Sequence, residues 1–273
     1  ALEPPGRVFC IGGTFGRYMS YTVLDWIARN DPDFPRDRPA RIGGAYWAEE
    51  YGEQILGGAE AYTAAHPDRY QWTKGYLVPP LTWTWGTQIE DLRICDYVFV
   101  PVPMQTFVKE FRLTDSRAKF IGTDAHLAFL RLIDDADLWD EVDGMLIVNP
   151  PQWWNEEGPM IERVKRILEE SHSPGEVKAI MEMGNGYLAA TPIIGMIEII
   201  AEAVRTAGPE NLGLDALYQS AISFEMGDEG RVCHSFSESV RTAVDCLGIY
   251  ELSAERRDLV RKDPAWIPVV TVP

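Results

Sequence analysis

The fold is decided by residues 95–126, CDYVFVPVPMQTFVKEFRLTDSRAKFIGTDAH. Two short apolar runs, 97–100 and 118–121, flank a segment with helical character, and each run ends in a turn. Short apolar runs bounded by turn residues predict buried strands, and a helix between two such strands predicts that they are parallel. The stretch therefore predicts a parallel βαβ unit whose turns are left for function.

The same plan continues on both sides of this unit. Upstream, the run 41–46 and a turn precede an amphipathic stretch from Glu53 to about Ala65, and downstream the run 143–148 gives another strand. Strands alternating with helices predict a doubly wound α/β sheet. In such sheets ligands bind beyond the carboxyl ends of the strands, at a topological switch point, so we expect the functional residues in the turns.

At those turns the chain resembles a known family. The segments that carry the resemblance are Tyr51-Gly52, Cys95-Asp96-Tyr97-Val98-Phe99-Val100-Pro101, Phe120-Ile121-Gly122-Thr123-Asp124 and Asp143-Gly144-Met145. Their order and spacing are similar to type I periplasmic binding proteins, specifically the branched-chain amino-acid receptor group of ABC importers, over nearly the whole chain. The resemblance implies an α/β clamp of two lobes, each a doubly wound parallel sheet.

The chain departs from this family at its start. Residues 6–30, with a predicted strand at Val8-Phe9-Cys10-Ile11 and a helix from Arg17 to Arg29, resemble only the last unit of the first lobe. We therefore expect the N-terminal lobe to be incomplete. The predicted lobes comprise 1–38 with 151–225 for the remainder of lobe 1, and 39–150 with 226–273 for lobe 2. The predicted crossings are 31–39, the break at 149–151 and the turn-rich segment 225–230.

Composition excludes some functions. The 273 residues carry a net charge of −17, which disfavours nucleic acid and anionic membrane surfaces as partners. We find no apolar run of the ~18 residues that a membrane span needs, and no signal segment after residue 1, so any export signal has already been removed. With the resemblance, these features predict a periplasmic or extracellular protein, or a lipoprotein anchored to the membrane.

The four cysteines show no metal-binding spacing. Cys10 and Cys95 lie in or beside predicted strands and are expected to be free and buried. Cys233 and Cys246 flank a predicted helix and are either free or, in an oxidising compartment, joined by a disulfide. The helical stripes Ile161/Val164/Leu168 and Ile193/Ile197/Ile200/Val204 are predicted to be core.

Catalytic signatures such as a nucleophile elbow, a P-loop or a complete dinucleotide fingerprint are absent from the sequence. The nearest approach is residues 12–16, GGTFG, after a predicted strand and before a helix. It could hold an anion through backbone N–H groups, or its glycines could serve close packing. The resemblance adds a third interpretation, a turn lining the cleft, in which Thr14 and Phe15 contact the ligand.

The turn after the second strand of the opening stretch contains the candidate binding residues Thr123, Asp124 and Ala125. Asp124 and His126 could form a metal site or an acid–base pair, but no third ligand lies nearby in the sequence. The resemblance implies instead that Asp124 pairs with the ammonium group of an amino-acid ligand. An equal alternative is a helix N-cap, provided by Thr123 or Asp124.

Two other turns supply candidates through the resemblance. Tyr51 corresponds to a tyrosine that walls the cleft in the family, and a core tyrosine is the alternative. Pro103 and Met104 fill a turn where many relatives carry an aromatic residue, which puts the usual amino-acid contacts in doubt.

Together these features predict a solute-binding receptor, not an enzyme, with no cofactor, metal or catalytic residue. Its ligand would be an amino acid or an aromatic or aliphatic carboxylate, and its partner the permease of an ABC importer. The alternatives are a sensory ligand-binding domain of the same fold and an α/β enzyme. Because an incomplete lobe exposes a sheet edge and apolar faces, we also predict a missing N-terminal segment or self-association.

Overall fold

The computed structural model describes residues 4–228 and 231–273. Its elements follow in the order α1 (Gly16–Asn30), β1 (Ala40–Trp47), α2 (Glu50–Ala65), β2 (Tyr70–Val78), α3 (Gly86–Leu92), β3 (Tyr97–Phe99), α4 (Gln105–Phe111), β4 (Lys119–Thr123), α5 (Asp124–Leu127), α6 (Leu130–Asp135), α7 (Trp139–Val142), β5 (Leu146–Asn149), α8 (Pro159–Ser171), α9 (Pro174–Glu182), α10 (Ala190–Ala207), α11 (Leu214–Ile222), β6 (Glu225–Asp228), β7 (Arg231–Ser235), β8 (Cys246–Ser253), β9 (Asp258–Arg261) and β10 (Ile267–Pro268). The mixed α/β class predicted from the sequence is confirmed.

The chain forms two compact units. Unit 1 comprises the N-terminal residues up to Thr14 together with Pro150–Leu247, and unit 2 comprises Phe15–Asn149 and Gly248–Pro273. Compared with the predicted lobes, residues 15–38 go with unit 2 and residues 226–247 with unit 1. Of the predicted third crossing, 225–228 forms β6, while 229 and 230 lie outside the described residues.

Helix α1 belongs to unit 2 because it packs closely on α2. A Cβ on Gly58 would lie 2.6 Å from the Cα of Arg17, so only glycine permits this approach of the two helices. The Ser20 hydroxyl donates to the Ile55 carbonyl oxygen at 2.8 Å, and Leu24 and Ile55 are fully buried. Sequence periodicity identified both helices but could not show that they pack together.

Unit 2 is built on an eight-stranded sheet in the order β2-β1-β3-β4-β5-β8-β10, with β9 also paired to β8. Strands β1 to β5 are parallel, whereas β8 runs antiparallel to β5 and β9 antiparallel to β8. The residues of β3 and β5 are buried throughout, as expected for strands covered on both faces. The chain passes from β1 to β2 on one side and to β3 on the other, so the topological switch point lies between β1 and β3.

Unit 1 contains α8 to α11, the antiparallel hairpin of β6 and β7, and an isolated parallel bridge between Cys10 and Thr242. The predicted strand at residues 8–11 is thus reduced to this bridge. One buried cluster of unit 1 joins the N-terminal segment to the end of the unit, and consists of Ile11, Phe224, Met226, Phe236 and Ala243.

Two of the four cysteines are bonded to each other and two are free. Cys233 in β7 and Cys246 at the start of β8 form a disulfide, while Cys10 and Cys95 are free. The helix predicted between Cys233 and Cys246 is wrong. Both cysteines lie in strands, and the segment between them bonds to its neighbours as extended chain, with Asp245 N–H donating to the Cys233 carbonyl oxygen at 2.8 Å.

The two apolar stripes of unit 1 differ in burial. Residues 161, 164 and 168 of α8 are buried, which confirms the prediction for that helix. The stripe on α10 was predicted to be core, and this is wrong for the described chain, because Ile193, Ile197 and Ile200 are 45–57% exposed. The prediction that no stretch reaches membrane length is also wrong. By length and composition alone, the helical stretch Gly186–Ala207 is long and apolar enough to cross a membrane. Its mean hydropathy is 1.6, and 28% of its apolar stretch is buried.

Candidate functional site

The predicted binding turns of unit 2 lie at one edge of its sheet. Tyr51 is in the first turn of α2 after β1, Met104 precedes α4 after β3, and Asp124 opens α5 directly after β4. Strands β1, β3 and β4 are parallel neighbours, so their carboxyl ends meet at the switch point. Ligands bind at this edge in open α/β sheets, and we define the carboxyl-edge site by Tyr51, Thr123 and Asp124.

Tyr51 is tied to the end of β4. Its hydroxyl group donates to Thr123 Oγ1 at 2.6 Å and lies 3.8 Å from the sulfur of Met19. The ring is half-buried, while Thr123 is fully buried. Burial, together with the nearby Asp124 carboxylate, raises the pKa of Tyr51 well above its usual value, so its hydroxyl stays protonated. Tyr51 thus offers a neutral hydroxyl group, and Thr123 positions it.

Thr123, not Asp124, is the N-cap of α5. Its side chain accepts a hydrogen bond from the backbone of the helix, which answers the alternative left open by the sequence. Asp124 stands at the first helical position and is half-buried. The capping interpretation therefore applies to Thr123, and a different role has to be sought for the Asp124 carboxyl group.

Burial raises the pKa of the Asp124 carboxyl group to about 6. Hydrogen bonds from the backbone N–H groups of Ala125 and of Asp124 itself act in the opposite direction but only partly offset burial, while the Tyr51 hydroxyl donates its proton to Thr123. Near neutral pH this carboxylate is therefore ionised at a cost, and a cation brought beside it would relieve that cost.

His126 has a structural role. Its Nδ1 accepts a hydrogen bond from the Thr123 N–H at 2.9 Å, so the neutral ring carries its proton on Nε2, which donates to the Val100 carbonyl oxygen at 3.0 Å. The ring is fully buried, and burial lowers its pKa to about 4. It joins the ends of β3 and β4, and with both nitrogens engaged it is not placed as a catalytic base.

The backbone beneath His126 must be glycine. A Cβ on Gly122 would lie 2.5 Å from Met145 Cε and 2.9 Å from His126 Nδ1. Such contacts are shorter than real side chains allow, so any other residue would displace the imidazole ring. The glycine in the segment Phe120-Ile121-Gly122-Thr123-Asp124 is thus explained by packing, because it leaves room for Met145 and the His126 ring.

The remaining predicted contacts differ in accessibility. Pro103 is buried and Met104 is only 1% exposed. Ala125 is half-buried and contributes its N–H group to Asp124. Thr14 is the last residue of the first segment of unit 1, whereas Phe15 opens unit 2 and packs edge-on against Tyr18, with ring centroids 5.4 Å apart.

Two further residues, Tyr46 and Glu49, also belong to this edge. The Tyr46 ring lies 6.5 Å from the Tyr51 ring and 6.3 Å from the His126 ring between centroids, and its hydroxyl is buried without a hydrogen-bond partner among the described residues. Glu49 caps α2 by accepting from the Gly52 N–H at 3.1 Å. Burial raises the pKa of Tyr46 well above its usual value, and Glu49 and Asp124 raise it further, so two carboxylates act on this edge.

The opposite, amino-terminal edge of the sheet holds an open cavity of about 530 Å³ lined by charged residues. Several charges at this edge are paired. Arg38 binds Asp96 through two contacts of 2.6 and 2.7 Å, and Lys119 lies 2.9 Å from the buried carboxylate of Asp31. These two ion pairs have a structural role. Within residues 4–228 and 231–273, no group of three or more His, Cys, Asp and Glu side chains is arranged to hold a metal ion.

No family model matches the chain, and no curated protein is similar to it in sequence. Solved structures are similar in fold. A branched-chain amino acid ABC transporter protein from Thermus thermophilus with bound valine has a TM-score of 0.70 and 17% identity, over 96% of this chain and 67% of its own. A fatty acid ABC transporter substrate-binding protein from Thermomonospora curvata gives 0.69 and 15%, over 95% and 67%.

A third similar structure is a solute-binding protein of an ABC transporter from R. palustris in complex with benzoate, with a TM-score of 0.63 and 12% identity, over 93% of this chain and 64% of its own. At these identities the likeness shows the fold. The chain has the fold of type I periplasmic binding proteins, as the sequence predicted, and it spans about two thirds of the length of these structures.

Proposed function

We propose that this chain is the solute-binding component of an ABC import system, and that it binds a small carboxylic acid bearing an amino group, such as an amino acid. The ligand ammonium group would lie against Asp124, with the neutral Tyr51 hydroxyl beside it. No covalent step is required, because binding and release are the whole function of such a receptor.

The observation that carries the proposal is the state of Asp124. Its carboxyl group stands at the carboxyl end of β4, at the switch-point edge, with a pKa raised to about 6 by burial. The side chains that act on this edge are carboxylates and neutral phenols, namely Glu49, Tyr46 and Tyr51. An ammonium group placed there gains a charge-assisted hydrogen bond and stabilises the ionised carboxylate.

Two further observations support the proposal. The similar structures include one with valine, one from a fatty acid transporter and one with benzoate, and all three compounds are carboxylates with an apolar part. Among these chemistries, an acidic edge favours the ligand with an amine. The disulfide between Cys233 and Cys246 favours an oxidising compartment, which fits a protein outside the cytoplasm that serves a membrane permease.

The test is calorimetric titration of the chain with matched pairs of ligands near pH 7.5. Each pair compares an amino acid with its deaminated analogue: valine with 3-methylbutanoate, and phenylalanine with 3-phenylpropanoate. We expect an amino acid to bind at least tenfold more tightly than its analogue. The Asp124→Asn variant should lose about 1.5–3 kcal/mol for the amino acid, as for a hydrogen bond to a charged group, and little for the analogue.

Asp140→Asn is the matched control. It makes the same chemical change, aspartate to asparagine, at an exposed position on α7 of the same unit. It should leave both affinities unchanged. Equal binding of amino acid and analogue, insensitive to Asp124→Asn, would refute the role of Asp124 and leave a receptor for simple carboxylates. Failure of every pair to bind would refute the receptor proposal for this chain.

A further inference from the structure

Tyr46, near the end of β1, packs against both helices that carry the carboxyl-edge site. Its side chain is 1% exposed, and its ring meets those of Tyr51 on α2 and His126 on α5 edge-on, with centroids 6.5 and 6.3 Å away. A Cβ on Gly52 would lie 2.9 Å from the Cβ of Tyr46, so the first turn of α2 lies directly against it. The ring is thus held in one place by its neighbours.

The hydroxyl group of Tyr46 is buried, and nothing in residues 4–228 and 231–273 forms a hydrogen bond with it. An unpaired buried donor costs free energy, and most buried hydroxyl groups in folded proteins therefore bond to protein or to ordered water. Two other buried tyrosines of unit 2 follow this rule, since Tyr97 donates to Asp31 at 3.1 Å and Tyr62 to Asp25 at 3.0 Å. The Tyr46 hydroxyl still needs an acceptor.

Two carboxylates act on this hydroxyl group from a short distance. Burial raises the pKa of Tyr46, and the charges of Glu49 and Asp124 raise it further, so the group stays protonated and can donate. Neither carboxylate bonds to it directly. Polar groups that attract each other beyond hydrogen-bond distance are commonly joined by water, and a buried water molecule typically bonds to about three polar groups.

The other polar groups around Tyr46 are less suited to receive its proton. Tyr51 is itself a donor, and both ring nitrogens of His126 are bonded to the backbone. Glu49 is exposed, so solvent hydrates its carboxylate, and it also caps α2. Asp124 is half-buried, and burial raises its pKa, so its ionised form gains more from a further hydrogen bond.

We propose that Tyr46 is a positioning residue of the carboxyl-edge site, whose hydroxyl group donates to a buried water molecule that in turn donates to the Asp124 carboxylate. This bridge holds the carboxylate in one orientation and favours its ionised form, the form that pairs with an ammonium group. The effect on ligand binding rests on the proposed function, whereas the bridge itself belongs to the ligand-free chain.

The test is to measure the pKa of Asp124 in the ligand-free chain by NMR of its isotope-labelled carboxyl carbon, with Asp124→Asn to assign the signal. Tyr46→Phe removes the hydroxyl group and keeps the ring. We expect this variant to raise the pKa of Asp124 above the wild-type value of about 6, by on the order of half a pH unit, because the charged form loses a hydrogen bond. Near pH 7.5, it should bind valine about fivefold more weakly and 3-methylbutanoate unchanged.

Tyr97→Phe is the matched control. It makes the same chemical change in β3 of the same unit, at a hydroxyl group that bonds to Asp31. It should lower the melting temperature, and it should change neither the pKa of Asp124 nor the affinity for valine. Circular dichroism checks that both phenylalanine variants keep the fold.

Three results would overturn the proposal. The first is an unchanged pKa of Asp124 in Tyr46→Phe, and the second is equal affinity of this variant and wild type for valine. The third is a raised melting temperature of Tyr46→Phe, as expected if the variant removes a hydroxyl group that is unpaired in solution as well. A shifted pKa in a chain whose wild type binds no amino acid would support the bridge and refute the proposed function alone.

Discussion

Replacing Asp124 by asparagine should stabilise the ligand-free protein at high pH. The pKa of the carboxyl group rises from 3.8 to about 6 on folding, because the buried site disfavours its ionised form. A pKa change of one corresponds to about 1.4 kcal/mol, so a fully buried group would contribute up to ~3 kcal/mol. Since Asp124 is half-buried and solvent screens part of this effect, we expect a gain of about 1–3 kcal/mol near pH 8.

The gain must depend on pH in a defined direction. Above about pH 6 the wild-type carboxyl is ionised in both the folded and the unfolded chain, and folding bears the full cost. As the pH falls through 6 the folded form takes up a proton first, and near pH 4 the cost is gone. The stability difference between Asp124→Asn and wild type should therefore shrink from pH 8 towards pH 4.

The assay is native-state hydrogen exchange of the β4 amides in increasing urea, at about pH 8, 6 and 4.5, without ligand. His126, whose lowered pKa makes the fold lose stability as pH falls from 6.5 through about 4, affects both proteins equally and cancels in the difference. Asp140→Asn should stay within about 0.5 kcal/mol of wild type throughout. A destabilised Asp124→Asn at pH 8, or a gain that is the same at every pH, would refute the reasoning.

Three further predictions concern the same regions. Affinity for an amino-acid ligand should fall as pH drops below about 6, by up to tenfold per pH unit, and titration from pH 8 to 5 checks this; a flat profile would exclude Asp124 as the ammonium partner. His126→Ala should cost about 2–4 kcal/mol in urea unfolding, since it breaks the link between β3 and β4 and leaves a cavity; a loss below ~1 kcal/mol would contradict that role. Cys233→Ser should destabilise unit 1 by about 2–4 kcal/mol, and reduction of the wild type should reproduce the effect; unchanged unfolding of unit 1 would count against the disulfide.

The sequence predicted the centre of unit 2 because its strands are short apolar runs with turns at both ends. Strands β1, β3, β4 and β5 and helices α1 and α2 were all foreseen, and their parallel order placed Tyr51 and Asp124 at one edge. The edge strand β2 was not foreseen. Its residues, YQWTKGYLV, mix polar and apolar types, since half of an edge strand faces solvent.

Within the carboxyl-edge site the sequence could predict which residues lie there but not their protonation states. Asp124 and His126 are two residues apart, yet burial raises the pKa of one to about 6 and lowers that of the other to about 4. The difference comes from contacts that are distant in sequence, such as the Val100 carbonyl group that His126 holds. Glu49 was missed for the same reason, because nothing local sets it apart from other charged residues.

Helix α10 shows where periodicity stops being informative. The spacing of Ile193, Ile197 and Ile200 predicted a buried face, but a stripe of apolar residues does not by itself decide burial. In α8 the partner lies within the described chain, and the equivalent residues are buried. In α10 the stripe stays half-exposed among the described residues, so the same spacing that marks a buried face in α8 fails to predict burial here.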